Sequence, residues 1–290
     1  MRKKTSAITT ILLIIILLVG LSVMLYPTIS DWWNSKTQSR MISDYSQTVE
    51  ALDDDTTELL WQQAVNYNTL LANLSSPFTN CDSIPNYDDI LNVSGTGVMG
   101  YITIPVIHVE LPIYHNTSEE VLNIAAGHLK GTSFPVGGSS THAVISAHRG
   151  LPTSKLFTDI DQLVVGDTFT ITVLNHVLTY EVEEIRIILP DEVENLYIEP
   201  GRDMVTLMTC TPYGINSHRL LVRSKRIDTK YQSHATVSAD ASQLDTLLVV
   251  PCLSAPLLVL LLIYWGVSSK QRKRHLPDGN LLDVFEKKLP

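Results

Sequence analysis

Cysteine is scarce. The 290 residues hold three, Cys81, Cys210 and Cys252, far apart and with no Cys-x-x-Cys pair. That spacing excludes a zinc knuckle and a thioredoxin-type redox centre. An odd number in an exported chain leaves at least one thiol free. Positive charge is thin as well: residues 27–245 carry 12 Lys and Arg against 27 Asp and Glu, a net of −15. Such an acidic stretch argues against nucleic acid as a partner. It says nothing about fold, because net charge governs solubility and association. Internal repeats and low-complexity tracts are absent too.

Long apolar runs are present. Residues 7–26 (AITTILLIIILLVGLSVMLY) carry no charge and reach the roughly 20 residues a bilayer core requires. Residues 246–267 form a second run, interrupted by Pro251 and Pro256, which a membrane helix tolerates when neighbours satisfy the freed backbone groups. Arg2, Lys3 and Lys4 precede the first run, and Lys270, Arg272, Lys273 and Arg274 follow the second. Basic flanks stay on the cytoplasmic side. This pattern predicts cytoplasmic tails at 1–6 and 268–290, two transmembrane helices, and residues 27–245 outside. The first run lacks a small-x-small cleavage site and is long for a signal peptide, which favours a retained helix.

Between the spans the pattern changes three times. Met41, Tyr45, Val49 and Leu52, then Leu60, Ala64, Tyr67, Leu71 and Leu74, recur at helical spacing, so 27–74 reads as a helical segment. Asp55 with Glu58 resembles a capping box at the start of a second helix. Residues 75–97, rich in Ser, Pro, Asn, Asp and Gly, read as a long loop of the kind that serves as a lid. From 98 to 228 short β-branched runs are separated by turn residues: 98–104, 106–113, 142–147, 167–174, 177–188, 204–210 and 218–226. Short helices are expected at 118–125 and 154–163, and a linker at 229–245. Strands at this spacing predict a mainly β domain, a closed barrel or a sandwich.

Three residues stand out for chemistry. Cys210 closes the run MVTLMTC and opens a Pro/Gly turn, a surface position suited to a nucleophile. The chemistry alone equally allows a small buried hydrophobe. Arg219 opens the next run. In a hairpin it would lie near Cys210 and could stabilise an oxyanion, whereas a plain surface arginine describes Arg223 and Arg226 better. His148 follows its own strand-like run and precedes a Gly/Pro turn, where it could act as general acid or base. Among nine histidines, His218 is its nearest rival, but neighbouring strand residues face opposite ways. Asp159 and Asp161 could orient the imidazole or form a solvated face. Glu181, Glu183 and Glu184 could suggest calcium, but they fit a solvated strand face equally well. No metal and no cofactor is predicted.

Taken together, these stretches resemble the class C, pilin-polymerising sortases. TLMTCTPYGINSHRLLVR (206–223) matches that group's cysteine and arginine strands, and SAHRGLPTSKLFTDIDQL (146–163) its histidine loop. GVMGYITIPVIHVELPIYHNTSEEVL (97–122) and GHLKGTSFPVGG (127–138) match the opening strands and the next loop. The resemblance covers about residues 30–226. It implies an eight-stranded barrel whose catalytic residues are His148, Cys210 and Arg219. It also implies cleavage of an LPXTG-like sorting signal through an acyl-enzyme, and transfer to an amine, typically a pilin lysine. The implied location is the plasma membrane of a Gram-positive bacterium. One departure concerns the lid. The family's Asp-Pro-aromatic motif reads Ser76-Pro77-Phe78 here, so Phe78 is expected to cover Cys210 with the charged latch weakened. Cys81 reads as a free loop thiol. Other sequence-level readings are a sortase attaching surface proteins to cell-wall precursor, a cysteine protease, and an inactive structural or adhesion protein.

Overall fold

The computed structural model describes residues 2–229, with side chains from residue 11 onward. The expected span at 246–267, the linker beyond residue 229 and the final tail lie outside the described residues. Helix α1 (Arg2–Glu50) contains the first apolar run, which is long and apolar enough to cross a membrane. One structural unit includes residues 2–25, and a compact unit begins at Tyr26.

Helix α2 (Asp54–Ala72) starts two residues earlier than the Asp55–Glu58 pattern suggested. Its N-cap is Asp53, in extended conformation, whose carboxylate accepts the Thr56 amide proton at 2.7 Å. Asp54 and Asp55 occupy the first turn, where negative charge favours the helix dipole. Both helices bury apolar stripes. Tyr45 and Val49 of α1, with Ala64, Tyr67 and Leu71 of α2, join the main core. The Tyr45 hydroxyl donates to the Met99 carbonyl at 3.0 Å and accepts the Leu174 amide at 2.8 Å.

Residues 75–97 form a strap with short elements rather than a featureless loop: α3 (Pro77–Asn80) and a 3-10 turn at Cys81–Ser83. Pro77, Cys81, Ile84, Tyr87, Ile90 and Leu91 are buried, so inward anchors recur about every three residues. The Tyr87 hydroxyl lies 2.9 Å from His128 Nδ1.

Eight strands close into a barrel in the order β1-β2-β3-β4-β7-β8-β6-β5. They are β1 (Val98–Ile104), β2 (Val109–His115), β3 (Ala126–His128), β4 (Thr141–Ser146), β5 (Thr168–Val173), β6 (His176–Ile188), β7 (Asp203–Thr211) and β8 (His218–Ile227). Seven coincide with the expected runs to within a few residues. The eighth, β3, escapes pattern reading because it is only three residues long and holds no β-branched side chain. Its Gly127 is required, since an added Cβ would collide with the Asn116 carbonyl.

The helix expected at 154–163 reduces to a 3-10 turn at Ile160–Gln162. Leu156, Phe157, Ile160 and Leu163 do share helical spacing and are buried. Leu156, however, takes a positive φ of 41°, which a continuing helix cannot accommodate. The helix expected at 118–125 shrinks to α4 (Glu119–Leu122), capped by Ser118, because the chain must straighten into β3.

Candidate active site

Strands β4, β7 and β8 lie side by side, β4 parallel to β7 and β7 antiparallel to β8. Alternation sorts their side chains between two faces. Ala143, Ile145, Val205, Leu207, Leu220 and Val222 point into the main core. Val144, Met208 and Leu221 point outward and join a second cluster with Ile188 and Leu196. Cys210 and Arg219 continue this outer face.

Register sets two of the three expected catalytic residues opposite each other and leads the chain toward them at the third. Cys210 pairs directly with Arg219. Ser146 pairs with Met208, and His148 follows two residues beyond that pair, in the direction of Cys210. Beyond the last strand pair, the Ala147 amide still donates to the Met208 carbonyl at 3.2 Å, and the Thr209 hydroxyl donates to the Ala147 carbonyl at 2.8 Å. These bonds keep the β4 extension alongside β7 up to His148. Cys210 is a free, partly exposed thiol and Cys81 a free, buried one.

The Arg219 guanidinium donates to the carbonyls of Asn216 and His218, at 3.2 and 3.1 Å. It is therefore held on the β7–β8 turn. His148 is partly buried, and desolvation pulls its imidazole below the ordinary value, against an opposing pull from the Glu119 charge. Burial thus favours the neutral ring, the form able to accept a proton. Among the described residues no hydrogen-bond partner holds this ring. Asp161 instead pairs with Arg149 at 2.5 Å and Asp159 with Lys155 at 2.7 Å. Neither acid orients the imidazole.

Arg149 also reaches the Thr211 hydroxyl at 3.5 Å, linking the histidine loop to the end of the cysteine strand. Gly150 completes the link. At φ +77°, it leaves space for Tyr213, whose Cε2 would lie 2.6 Å from an added Cβ.

The tip of the strap sits on the same outer face. Pro77 is buried, and Phe78 packs against the outer cluster with Leu129 and Met208. Its ring meets Tyr197 edge-on with centroids 5.4 Å apart. Gly131 forms the seat beneath it: an added Cβ would lie 3.2 Å from both Phe78 Cδ1 and the Pro77 carbonyl oxygen. Ser76 takes a left-handed conformation, and its side chain makes no capping bond. Nearby, Lys130 bridges to Asp82 at 2.6 Å and lies over the Tyr87 ring.

The acids considered for calcium are each engaged by a base. Glu183 binds Arg202 at 2.5 Å, Glu184 binds Arg186 at 2.5 Å, and Glu181 binds Lys225 at 3.2 Å. Among the described residues no group of three or more His, Cys, Asp or Glu could hold a metal ion. Sequence reading passed over Asp31, Asn34 and Gln38 of α1, which hydrogen-bond the histidine loop. The available signal was polar residues continuing the helical stripe of Met41, Tyr45 and Val49.

Comparison with known proteins agrees with this architecture. The family described as Sortase domain matches residues 102–227. Sortase A of Streptococcus agalactiae is 33% identical over 117 residues, 39% of this chain and 47% of the relative. The chain thus spans about half the length of that relative. Sortase A of Bacillus anthracis is 29% identical over 148 residues, 50% of this chain and 69% of the relative. Among solved structures, sortase C1 from Streptococcus agalactiae is 44% identical, with 66% of this chain and 100% of that chain covered and a TM-score of 0.61. Sortase C from Clostridium perfringens SM101 is 40% identical over 65% of this chain and 99% of that one, with a TM-score of 0.56. A barrel matching the Sortase domain and full coverage of a solved sortase C1 lead to one conclusion: the chain belongs to the sortase family, with class C sortases as its structural neighbours.

Proposed function

We propose that this protein is a membrane-anchored cysteine transpeptidase of the pilus-assembly type, acting on an LPXTG-like sorting signal. Neutral His148 takes the Cys210 thiol proton as sulfur attacks the carbonyl carbon of the Thr–Gly bond. The resulting oxyanion is stabilised by Arg219, which holds the turn carbonyls through Nη1 alone and keeps its other N–H groups to donate. The C–N bond then breaks, and His148 returns its proton to the departing glycine nitrogen. A thioester on Cys210 remains. An amine, in this reading a pilin lysine, gives a proton to His148 and attacks the thioester. The thiolate leaves and is reprotonated, and a new amide is formed.

The observation that carries this reading is the direct pairing of Cys210 with Arg219, with His148 two residues beyond the neighbouring Ser146–Met208 pair. A structure of Clostridium perfringens sortase C with its C-terminal cell wall sorting motif is among the similar chains, at 44% identity. Identity of 40–44% to class C structures over nearly their whole length favours pilin assembly over attachment to cell-wall precursor. In the same reading, Pro77, Phe78 and Ser76 form a lid over the site. A structure of a lid-mutant of Streptococcus agalactiae sortase C1 is also similar, at 41% identity. Helix α1 anchors the protein in the plasma membrane of a Gram-positive cell, with the barrel outside and both termini inside.

The test is to incubate the full-length protein in detergent with an LPXTG peptide and an amine donor. Intact-mass spectrometry should show an acyl adduct in the wild type and none in Cys210→Ala. Arg219→Ala should lose most turnover. An adduct that persists in Cys210→Ala would sink the proposal. Release of peptide to water alone, with amine present, would point to a protease.

A further inference from the structure

The ring of His148 has no hydrogen-bonding partner among the described side chains, so its position depends on the loop that carries it. That loop is tied to α1 by three side chains on one helical face. The Asp31 carboxylate accepts the Lys155 amide proton at 2.6 Å. Asn34 Nδ2 donates to the Thr153 carbonyl at 2.7 Å. Gln38 Nε2 donates to the Ser154 hydroxyl at 3.2 Å and to the Ile124 carbonyl at 2.7 Å. Gln38 and Ser154 are 6% and 2% exposed, so the last contact is shielded from competing water.

The spacing explains why one helix can do this. Positions 31, 34 and 38 are three and four residues apart, which stacks them on one face. Ile42, Tyr45 and Val49 continue the same face and are buried. The stripe is polar where its partner is loop backbone and apolar where its partner is the barrel. Three successive loop residues, Thr153, Ser154 and Lys155, are gripped. On their C-terminal side the Phe157 amide donates back to the His148 carbonyl at 3.1 Å, which closes the loop onto the histidine.

We infer that Asp31, Asn34 and Gln38 are positioning residues for the transfer reaction, a brace by which α1, the helix carrying the apolar anchor, sets the placement of His148. The inference rests on the catalytic role proposed for His148. Loosening the brace leaves the Cys210–Arg219 strand pair intact and misplaces the proton-transfer group. Errors of about 1 Å in such a group can cost on the order of a hundred-fold in rate.

The test uses the full-length protein in detergent and follows kcat, KM and the pH profile of Cys210 alkylation. Asn34→Ala and Gln38→Ala should each lower kcat roughly ten-fold with KM within about two-fold, and should shift the alkylation profile. Asp31→Ala should behave alike, while Asp31→Asn, which still accepts the Lys155 proton, should recover most of the rate. If an alanine variant does not fold, near-isosteric Asn34→Asp removes the same donor. Ser35→Ala, on the exposed face, should match wild type. Unchanged kcat in the brace variants, or losses that follow melting temperature with an unmoved pH profile, would overturn the inference. His148→Ala separates the two levels. If it is inactive while the brace variants are normal, only the brace falls. If it is fully active, the catalytic reading falls with it.

Discussion

The histidine loop and the tip of the strap flank the same end of β7 but are held in opposite ways. Residues 149–163 are fixed by directional bonds: Arg149 to Asp161, Lys155 to Asp159, and three α1 side chains to loop backbone and hydroxyl. The strap tip rests on an apolar seat, Phe78 against Met208, Leu129 and Tyr197, and begins at a left-handed Ser76 without a capping bond. Hydrogen bonds to buried groups are costly to leave unmade, whereas a partly buried aromatic ring held by apolar contacts can lift away without leaving a polar group unpaired. The contrast teaches that the loop carrying His148 is held by directional bonds and the strap tip by apolar contact, as a fixed proton-transfer group under a movable cover would require.

The largest effect should come from the fixed side. His148→Ala is expected to reduce transpeptidation at least ~100-fold, with folding preserved, as measured by peptide turnover and thermal melting. A small loss would mean the rigid loop serves some other purpose. Next is the root of the strap. Burial holds His128 neutral, with its pKa lowered to about 4, while in the unfolded chain it protonates near the ordinary 6.5. The unfolded state therefore binds more protons between these values. Stability is full above about pH 6.5 and falls as pH drops toward 4, by on the order of 3 kcal/mol. His142, also lowered by burial, adds in the same direction. Chemical denaturation at pH 7 and pH 4.5 checks this, and equal stability at both would contradict it.

Smaller effects probe the tip itself. Phe78→Ala should speed Cys210 alkylation several-fold and cost about 1–2 kcal/mol, below the ~3–5 kcal/mol of a fully buried phenylalanine. Unchanged alkylation would show that Phe78 does not cover the thiol. Smallest is Ser76→Gly. It relieves a left-handed residue, worth about 1–2 kcal/mol, against about 0.5–1 kcal/mol of added chain entropy. A rise in melting temperature of a few degrees or less is expected, and a fall would mean the Ser76 side chain makes a contribution of its own.

The sequence by itself determined a mainly β domain, left the choice of barrel over sandwich to its family resemblance, and offered Cys210, His148 and Arg219 as candidate site residues. Short β-branched runs bounded by turn residues are local signals, so seven strands could be read directly, and the run ending in Cys210 followed by Arg219 after a short turn pointed to a hairpin pair. The apolar run at 7–26 needed only length and the absence of charge. What escaped was non-local. Strand β3 exists because β2 and β4 leave room for three residues between them. The helix expected at 154–163 failed because its apolar spacing serves core anchors of a loop that turns at Leu156. The capping position moved to Asp53 because a cap depends on backbone conformation and not on residue type alone. The course of β4 toward Cys210, which ends two residues before His148, arises from a parallel pairing of strands some sixty residues apart, and the grip of Asn34 on Thr153 spans 119 residues. Such contacts are fixed by the closing of the barrel and the docking of α1, and no local pattern encodes them.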